Sequence, residues 1–153
     1  MAFSFTTALA NLEVHLAAAA AAITPPIPDV GAGEPGVPTV ATLRYWYEGD
    51  GDPGRMARNV LTAENIGERV TIRAYWPVNT RDKPPAAALE ARVRALKHEI
   101  KTRLIADSDL SESCEITLIG DAEAGWLLLD GGTWRTLTMP LTLDFPDAYP
   151  KVR

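Results

Sequence analysis

Two histidines and one cysteine are the side chains of this chain best suited to acid–base or nucleophilic chemistry. His15 and His98 each fall in a segment with helical spacing, and neither has a cysteine or carboxylate at the spacing that binds a metal ion. We therefore expect both to be surface histidines. Cys114 comes at the start of a predicted strand with no histidine near it in sequence, which predicts an inert thiol. A single cysteine also excludes an intramolecular disulfide.

Acidic side chains offer two further kinds of site. The turn-forming cluster Gly49–Gly54 contains two aspartates, but it lacks the further oxygen ligands and the closing glutamate of a calcium-binding EF-hand loop. Glu64 with Glu68, or Asp121 with Glu123, would be paired carboxylates only if they met in a pocket, which nothing in the sequence predicts. No phosphate-binding loop, dinucleotide-binding glycine motif or nucleophile elbow occurs. We predict no bound metal, no cofactor and no enzymatic activity.

Composition describes an ordinary globular chain with room for one domain. The 153 residues are 46% hydrophobic and 23% charged, and the net charge of -5 argues against a protein that coats nucleic acid phosphates. The alanine run at 17–22 resembles the apolar part of a signal peptide, but no lysine or arginine precedes Arg44. We therefore predict neither a secretion signal nor a membrane span.

The spacing of apolar residues predicts two principal helices, at about residues 6–22 and 84–106. Their apolar stripes are Phe5, Leu9, Leu12, Leu16 and Ile23 in the first helix, and Leu89, Val93, Leu96, Ile100 and Leu104 in the second. The stretch between residues 24 and 39 is rich in proline and glycine, which predicts an irregular connection over the surface.

Strict alternation of apolar and polar residues from Leu137 to Phe145 predicts a strand with one buried face. Pro140 cannot donate a backbone hydrogen bond, so this strand is expected at a sheet edge or broken at that residue. The predicted strands are Val40–Glu48, 69–76, Glu115–Ile119, Trp126–Leu129 and Thr133–Phe145, while Met56–Asn65 is either a short strand or a flexible excursion. The sequence thus predicts a single α+β domain, 1–153. A mostly antiparallel sheet of about four to five strands, ending in a three-strand meander, carries two packed helices. A short tail follows at 147–153.

Aromatic residues at consecutive strand positions must point to opposite faces of the sheet. Tyr45 with Trp46 and Tyr75 with Trp76 are two such pairs. Either the helices cover both faces, or one aromatic set lies on an outer face, where tryptophan and tyrosine favour protein contacts.

This plan resembles the tail-terminator (tail-completion) proteins of long-tailed, siphovirus-type phages. The resembling features are an N-terminal helix, a first strand pair with a long loop and a helix of about six turns at Pro85–Ala106. The run Trp-Arg-Thr-Leu-Thr-Met-Pro-Leu, within the stretch that ends at Phe145, is similar to the final strand of such subunits. The proline-rich segment and the alanine run have no counterpart in that pattern.

The resemblance implies a structural virion subunit at the head-proximal end of the tail, assembled in the host cytoplasm. Such subunits form a ring, expected to be a hexamer, that caps the tail tube and offers a surface to the head connector. DNA would pass through the lumen without specific binding, and no membrane is involved. Candidate contact residues are Asp50, Asp52 and Arg55 in one loop, and Arg69, Arg73 and Tyr75 on one strand face. Alternatives are another neck or minor tail subunit, such as a head-closure or connector protein, and a small-molecule-binding α+β domain.

Overall fold

The computed structural model describes residues 5–50, 67–78 and 86–145. Within these ranges lie two helices, α1 (Phe5–Ala22) and α2 (Ala86–Ala106). The strands are β1 (Asp29–Ala32), β2 (Thr42–Asp50), β3 (Gly67–Pro77), β4 (Glu115–Ile119), β5 (Glu123–Leu129) and β6 (Gly132–Asp144). The segment Met56–Asn65, the tail at 147–153 and the loop residues Asp52 and Arg55 lie outside the described ranges.

Both helices pack on the same face of the sheet. The predicted stripe of α2 is buried at all five positions, and α1 buries Leu12 and Leu16 together with the small residues Ala8, Ala19 and Ala20. These side chains form one cluster with the inward-facing residues of β2, β3 and β6. The domain therefore has two layers, helices over sheet, which confirms the predicted α+β class.

Six strands make the sheet, in the spatial order β1-β2-β3-β6-β4, with β5 also paired to β6. All pairs are antiparallel except β1 with β2. The register places Tyr45, Ile72 and Met139 side by side on the helix side and sends their sequence neighbours to the opposite side. The sheet is thus mostly antiparallel, as predicted, with slightly more strands than expected.

The additional strand, β1, arises from the proline-rich segment that was expected to be irregular. It runs parallel to β2, with Asp29 opposite Thr42 and Ala32 opposite Tyr45. Arg44 of β2 holds it in place, since its Nη2 atom donates to both carboxylate oxygens of Asp29, at 2.9 and 2.8 Å. A strand of four residues between prolines has too little alternation to be recognised from sequence.

The expectation for β6 was wrong in part, because this strand is central and not at an edge. Pro140 is accommodated by a break in the neighbouring strand. β4 pairs with the residues after Pro140 and β5 with those before it, so the connection at Gly120 lies beside the proline. Gly120 N donates to the carbonyl oxygen of Pro140 at 2.8 Å. The missing amide therefore falls where no ladder partner requires it.

The last three strands are not a simple meander. β5 and β6 form a hairpin whose two turn residues, Asp130 and Gly131, have φ angles of 46° and 77°. Two positive φ angles match the type I′ turn that suits the twist of a two-residue hairpin. β4, in contrast, pairs with β6 and not with β5, because β6 is long enough to bind both strands end to end.

Candidate interaction surfaces

The sheet face opposite the helices is the outer face, and it carries the strand residues predicted to make contacts. Arg69, Arg73 and Tyr75 share this face, as their alternation predicted. Arg69 is exposed and has no ion pair with a described residue. Tyr75, however, is only 4% exposed, so it offers almost no contact area and its proposed role at the surface is corrected.

Arg73 is committed to contacts within the chain. Its Nε atom donates to Thr138 Oγ1 at 2.9 Å, and its guanidinium carbon lies 5.4 Å from the centre of the Trp46 ring. The Trp46 indole in turn donates to Glu48. These contacts hold Arg73 to neighbours within the chain, which makes it a weaker contact candidate than Arg69. Asp50 ends β2 opposite Glu68.

Part of the proline-rich segment covers one end of the outer face. Trp134 Nε1 donates to the carbonyl oxygen of Pro38 at 2.9 Å, and both residues are buried. Neither Trp134 nor the buried Tyr75 belongs to the main core beneath the helices. The aromatic pairs allowed either helices on both faces of the sheet or one aromatic set on an outer face. The two described helices both cover the same face, and the aromatic set on the other face is partly covered by this segment.

Two further sets of residues, three cations on α2 and an apolar pair on β5, are together called the α2–β5 flank: Arg94, Lys97, Lys101, Trp126 and Leu128. The three cations recur at helical spacing after Glu90, and none has an ion pair with a described residue. The apolar pair projects from an edge strand, with Trp126 59% and Leu128 76% exposed.

Arg135 of β6 contacts both α2 and β5. Its Nη2 atom donates to Glu90 Oε2 at 3.0 Å, and its guanidinium carbon lies 4.8 Å from the centre of the Trp126 ring. The Glu90 carboxylate thus neutralises Arg135, and the cations farther along α2 have no ion pair within the described part of the chain. Sequence reasoning missed this surface, although the spacing of the three cations was a readable signal.

A third surface is the outward side of α1, which we call the α1 face: Thr6, Ala10, Val14, Ala17 and Ala21. All five residues are exposed, and Val14 is 67% exposed. They lie opposite the buried side of the helix and carry no charge. Beside them, half-buried Glu13 accepts a hydrogen bond from Tyr45, whose pKa is raised by burial and by that carboxylate.

Side-chain hydrogen bonds join α1 to the residues that follow α2. His15 Nε2 lies 2.6 Å from Asp107 Oδ2, and Asn11 Nδ2 donates to the carbonyl oxygen of Leu110 at 2.8 Å. Burial raises the pKa of Asp107, but hydrogen bonds from Ser111 and His15 outweigh it, so the pKa lies below its ordinary value. His15 is thus a half-buried partner of a carboxylate and not a free surface histidine, because tertiary packing brings distant residues together.

The other predicted chemical residues behave more simply. His98 is exposed, as expected. Cys114 is fully buried, and burial raises the pKa of its thiol to about 12, which keeps it protonated at neutral pH. In the described ranges, no three histidine, cysteine, aspartate or glutamate side chains approach closely enough to hold a metal ion. Neither described helix has the length and apolar character needed to cross a membrane.

Comparison with known proteins identifies the fold alone. No protein-family model matches the chain, and no curated protein matches it. Several solved structures are similar, and one of them matches over 97% of this chain and 99% of its own length, with a TM-score of 0.51 and 16% identity. The name of that protein states no function. At this identity the similarity supports a shared architecture and does not extend to an activity.

Proposed function

We propose that this chain is the ring-forming tail-terminator subunit of a long-tailed phage. It ends polymerisation of the tail tube and then presents a surface for head joining. The observation that carries the proposal is the presence of exposed apolar side chains at two separate places on one small domain, Val14 on α1 and Leu128 on β5. A domain with two such surfaces is suited to assembly, since each subunit can bind two neighbours.

The arrangement of the sheet also supports a structural role. The run that resembles the final strand of tail-terminator subunits forms the central strand β6, and it is used entirely for packing and pairing. Its inward residues Leu137, Met139 and Leu141 are buried in the core. The proposed subunit requires no catalytic group, and its partners would be further copies of itself, the tail tube protein and the head connector.

Arg69 remains the contact candidate of the outer face, because it is exposed and unpaired among described residues. We propose that this face, with the contact residues Asp50, Asp52 and Arg55 predicted from the sequence, meets the tube or the connector. The helix side then remains available for contacts between subunits.

The test is polymerisation of purified tube protein with and without this chain, followed by negative-stain imaging. We expect tubes of restricted length that carry a ring at one end. Tubes of unchanged length without bound rings would refute the proposal. Parallel incubation with DNA-filled heads that lack tails separates the roles, because binding to heads and not to tubes would indicate a head-closure subunit.

A further inference from the structure

We infer that β5 binds an extended segment of another protein, which joins the sheet as a further antiparallel strand. The segment carries apolar side chains on the side that faces the helices and cations on the opposite side. This inference goes beyond the proposed function, because it names the chemistry of a partner and does not depend on the assembly that contains the chain. It follows from the backbone, the side chains and the charge of β5.

The backbone of β5 has one side that faces away from the sheet. Among the described strands, β5 pairs with β6 alone. Val78 N donates to the carbonyl oxygen of Thr133 at 2.9 Å, so the backbone groups of Thr133 point away from β5. In an antiparallel ladder this direction recurs at every second residue. The β5 residues opposite these positions direct their own amide and carbonyl groups away from β6, and we call them the open edge: Ala124, Trp126 and Leu128.

The open edge also presents apolar side chains. Trp126 is 59% and Leu128 76% exposed, and both lie on the helix side of the sheet. The same residues would therefore supply hydrogen bonds and apolar contacts to an added strand, which is how proteins bind peptides by β-augmentation. A helix or a folded surface could cover the side chains but would leave the backbone groups without partners. The geometry thus favours an extended segment.

The charges around β5 are acidic. Glu123 begins the strand, Asp121 and Asp130 lie just outside it, and all three are exposed. No lysine or arginine occurs from Ile116 to Trp134, and Arg135, opposite Trp126, is paired with Glu90. Glu123 is opposite Thr138 and so lies on the outer face, away from the apolar pair. A segment with cations on its outward side is therefore complementary to this strand.

The described strands of a second copy do not match these requirements. Pairing of β5 with β5 would bring two sets of three acidic residues together, and β4 begins with Glu115 beside Asp144. Like charges on adjacent strands are destabilising. The remaining edge strand, β1, has only four residues, whereas β5 has seven. We therefore assign the occupant of the open edge to another protein.

A short peptide tests this inference. The sequence Lys-Val-Thr-Val-Thr-Val-Lys, with both ends blocked, places its valines on one side of a strand and its lysines on the other. At about 10 mM it saturates a site with a dissociation constant near 1 mM. Hydrogen exchange followed by NMR should then slow by at least about tenfold at the amides of the open edge. The amides of Leu127 and Leu129, which point toward β6, should change little.

Two control peptides separate the contributions of backbone and charge. The first carries N-methyl groups on its three valines, whose amides would donate to the open edge, and we expect it to slow no exchange. The second has glutamate in place of both lysines, and we expect it to bind at least about threefold more weakly at low salt. Protection by the N-methylated peptide, or stronger binding of the glutamate peptide, would overturn the inference.

Variants of the protein test the same contacts from the other side. Leu128→Lys places a cation in the open edge, as natural edge strands do to prevent pairing, and should weaken peptide binding by at least about tenfold. Val14→Lys is the matched control, because Val14 is 67% exposed but lies on α1, and it should bind as the wild-type protein does. Glu123→Lys should reverse the preference between the lysine and glutamate peptides. Binding that is unchanged by Leu128→Lys would contradict the proposed site.

Two further outcomes are decisive. If the lysine peptide slows no exchange, or if the open edge becomes protected as protein concentration rises without peptide, the inference is wrong. In the second case the occupant is another copy of this chain. The tube assay is independent of this result. Peptide binding without an effect on tube length would leave the inference correct and the tail-terminator role wrong, and capped tubes without peptide binding would show the reverse.

Discussion

The close approach of Gly120 to Pro140 predicts a specific cost for adding one methyl group. A Cβ atom on Gly120 would lie 2.4 Å from Pro140 Cγ and 3.2 Å from the Pro140 carbonyl oxygen. The proline ring cannot rotate away, because its position is fixed within the central strand. Gly120 does not have a positive φ angle, so Gly120→Ala tests steric fit and not backbone conformation.

The expected loss follows from the balance of two effects. Inserting a methyl group into a filled space costs about 1–3 kcal/mol, while replacing glycine with alanine restricts the unfolded chain and returns about 0.4–1 kcal/mol. We expect a net decrease of about 1–2 kcal/mol in the free energy of unfolding, or about 2–8 °C in melting temperature. Urea denaturation followed by tryptophan fluorescence measures it, with an unchanged slope showing that two-state unfolding persists.

A double-mutant cycle identifies the clash as the cause. Pro140→Ala removes the Cγ atom, so Gly120→Ala should cost markedly less in that background. Gly36→Ala is the control, because no atom lies within 4 Å of the added Cβ and its φ angle is not positive. It should be neutral or slightly stabilising. An equal cost of Gly120→Ala with and without Pro140 would refute the account of how β6 accommodates its proline.

Three further predictions concern single side chains. Asp107→Asn should remove an acid-dependent part of stability. Because the folded pKa of Asp107 is lowered, its contribution is present above about pH 4 and is lost as the pH falls further, and urea midpoints from pH 3 to pH 6 measure this. Trp134→Phe should lower the free energy of unfolding by about 1–3 kcal/mol, since the buried Pro38 carbonyl loses its donor, as denaturation would show. Cys114 should react with a thiol reagent at pH 8 only as the protein unfolds, so rapid labelling of the native chain would contradict its burial.

The local spacing of apolar and polar residues was sufficient to predict most of the fold. The helical stripe from Leu89 to Leu104 is buried at every predicted position, and β4 has the predicted bounds Glu115–Ile119. These elements were predictable because their periodicity reflects one buried side. β1 was not predictable, since its stability comes from a parallel neighbour and from the ion pair of Arg44 with Asp29.

Sequence reasoning predicted the surfaces less well than the fold. Alternation placed Arg69, Arg73 and Tyr75 on one face, but it could not show that Tyr75 is buried there. The pairing of His15 with Asp107 likewise joins residues 92 positions apart. Burial on an outer face and contacts between distant segments depend on how connections fold back, which local periodicity does not encode.

The position of Pro140 in β6 also divides one edge of the sheet into two strands, β4 and β5. Only β5 is suited to a partner. Because the proline divides the neighbours of β6, the edge consists of two unequal strands. β4 is short, contains an irregularity between Ile116 and Leu118, and places Glu115 beside Asp144, whose pKa is raised by burial and by that second carboxylate. A short, irregular and acidic edge resists pairing with another chain.

β5 is regular and carries exposed Trp126 and Leu128. If this edge had only to avoid pairing with other chains, both strands would be expected to be short, irregular or charged. Because β5 alone lacks these features, we favour a partner at that strand.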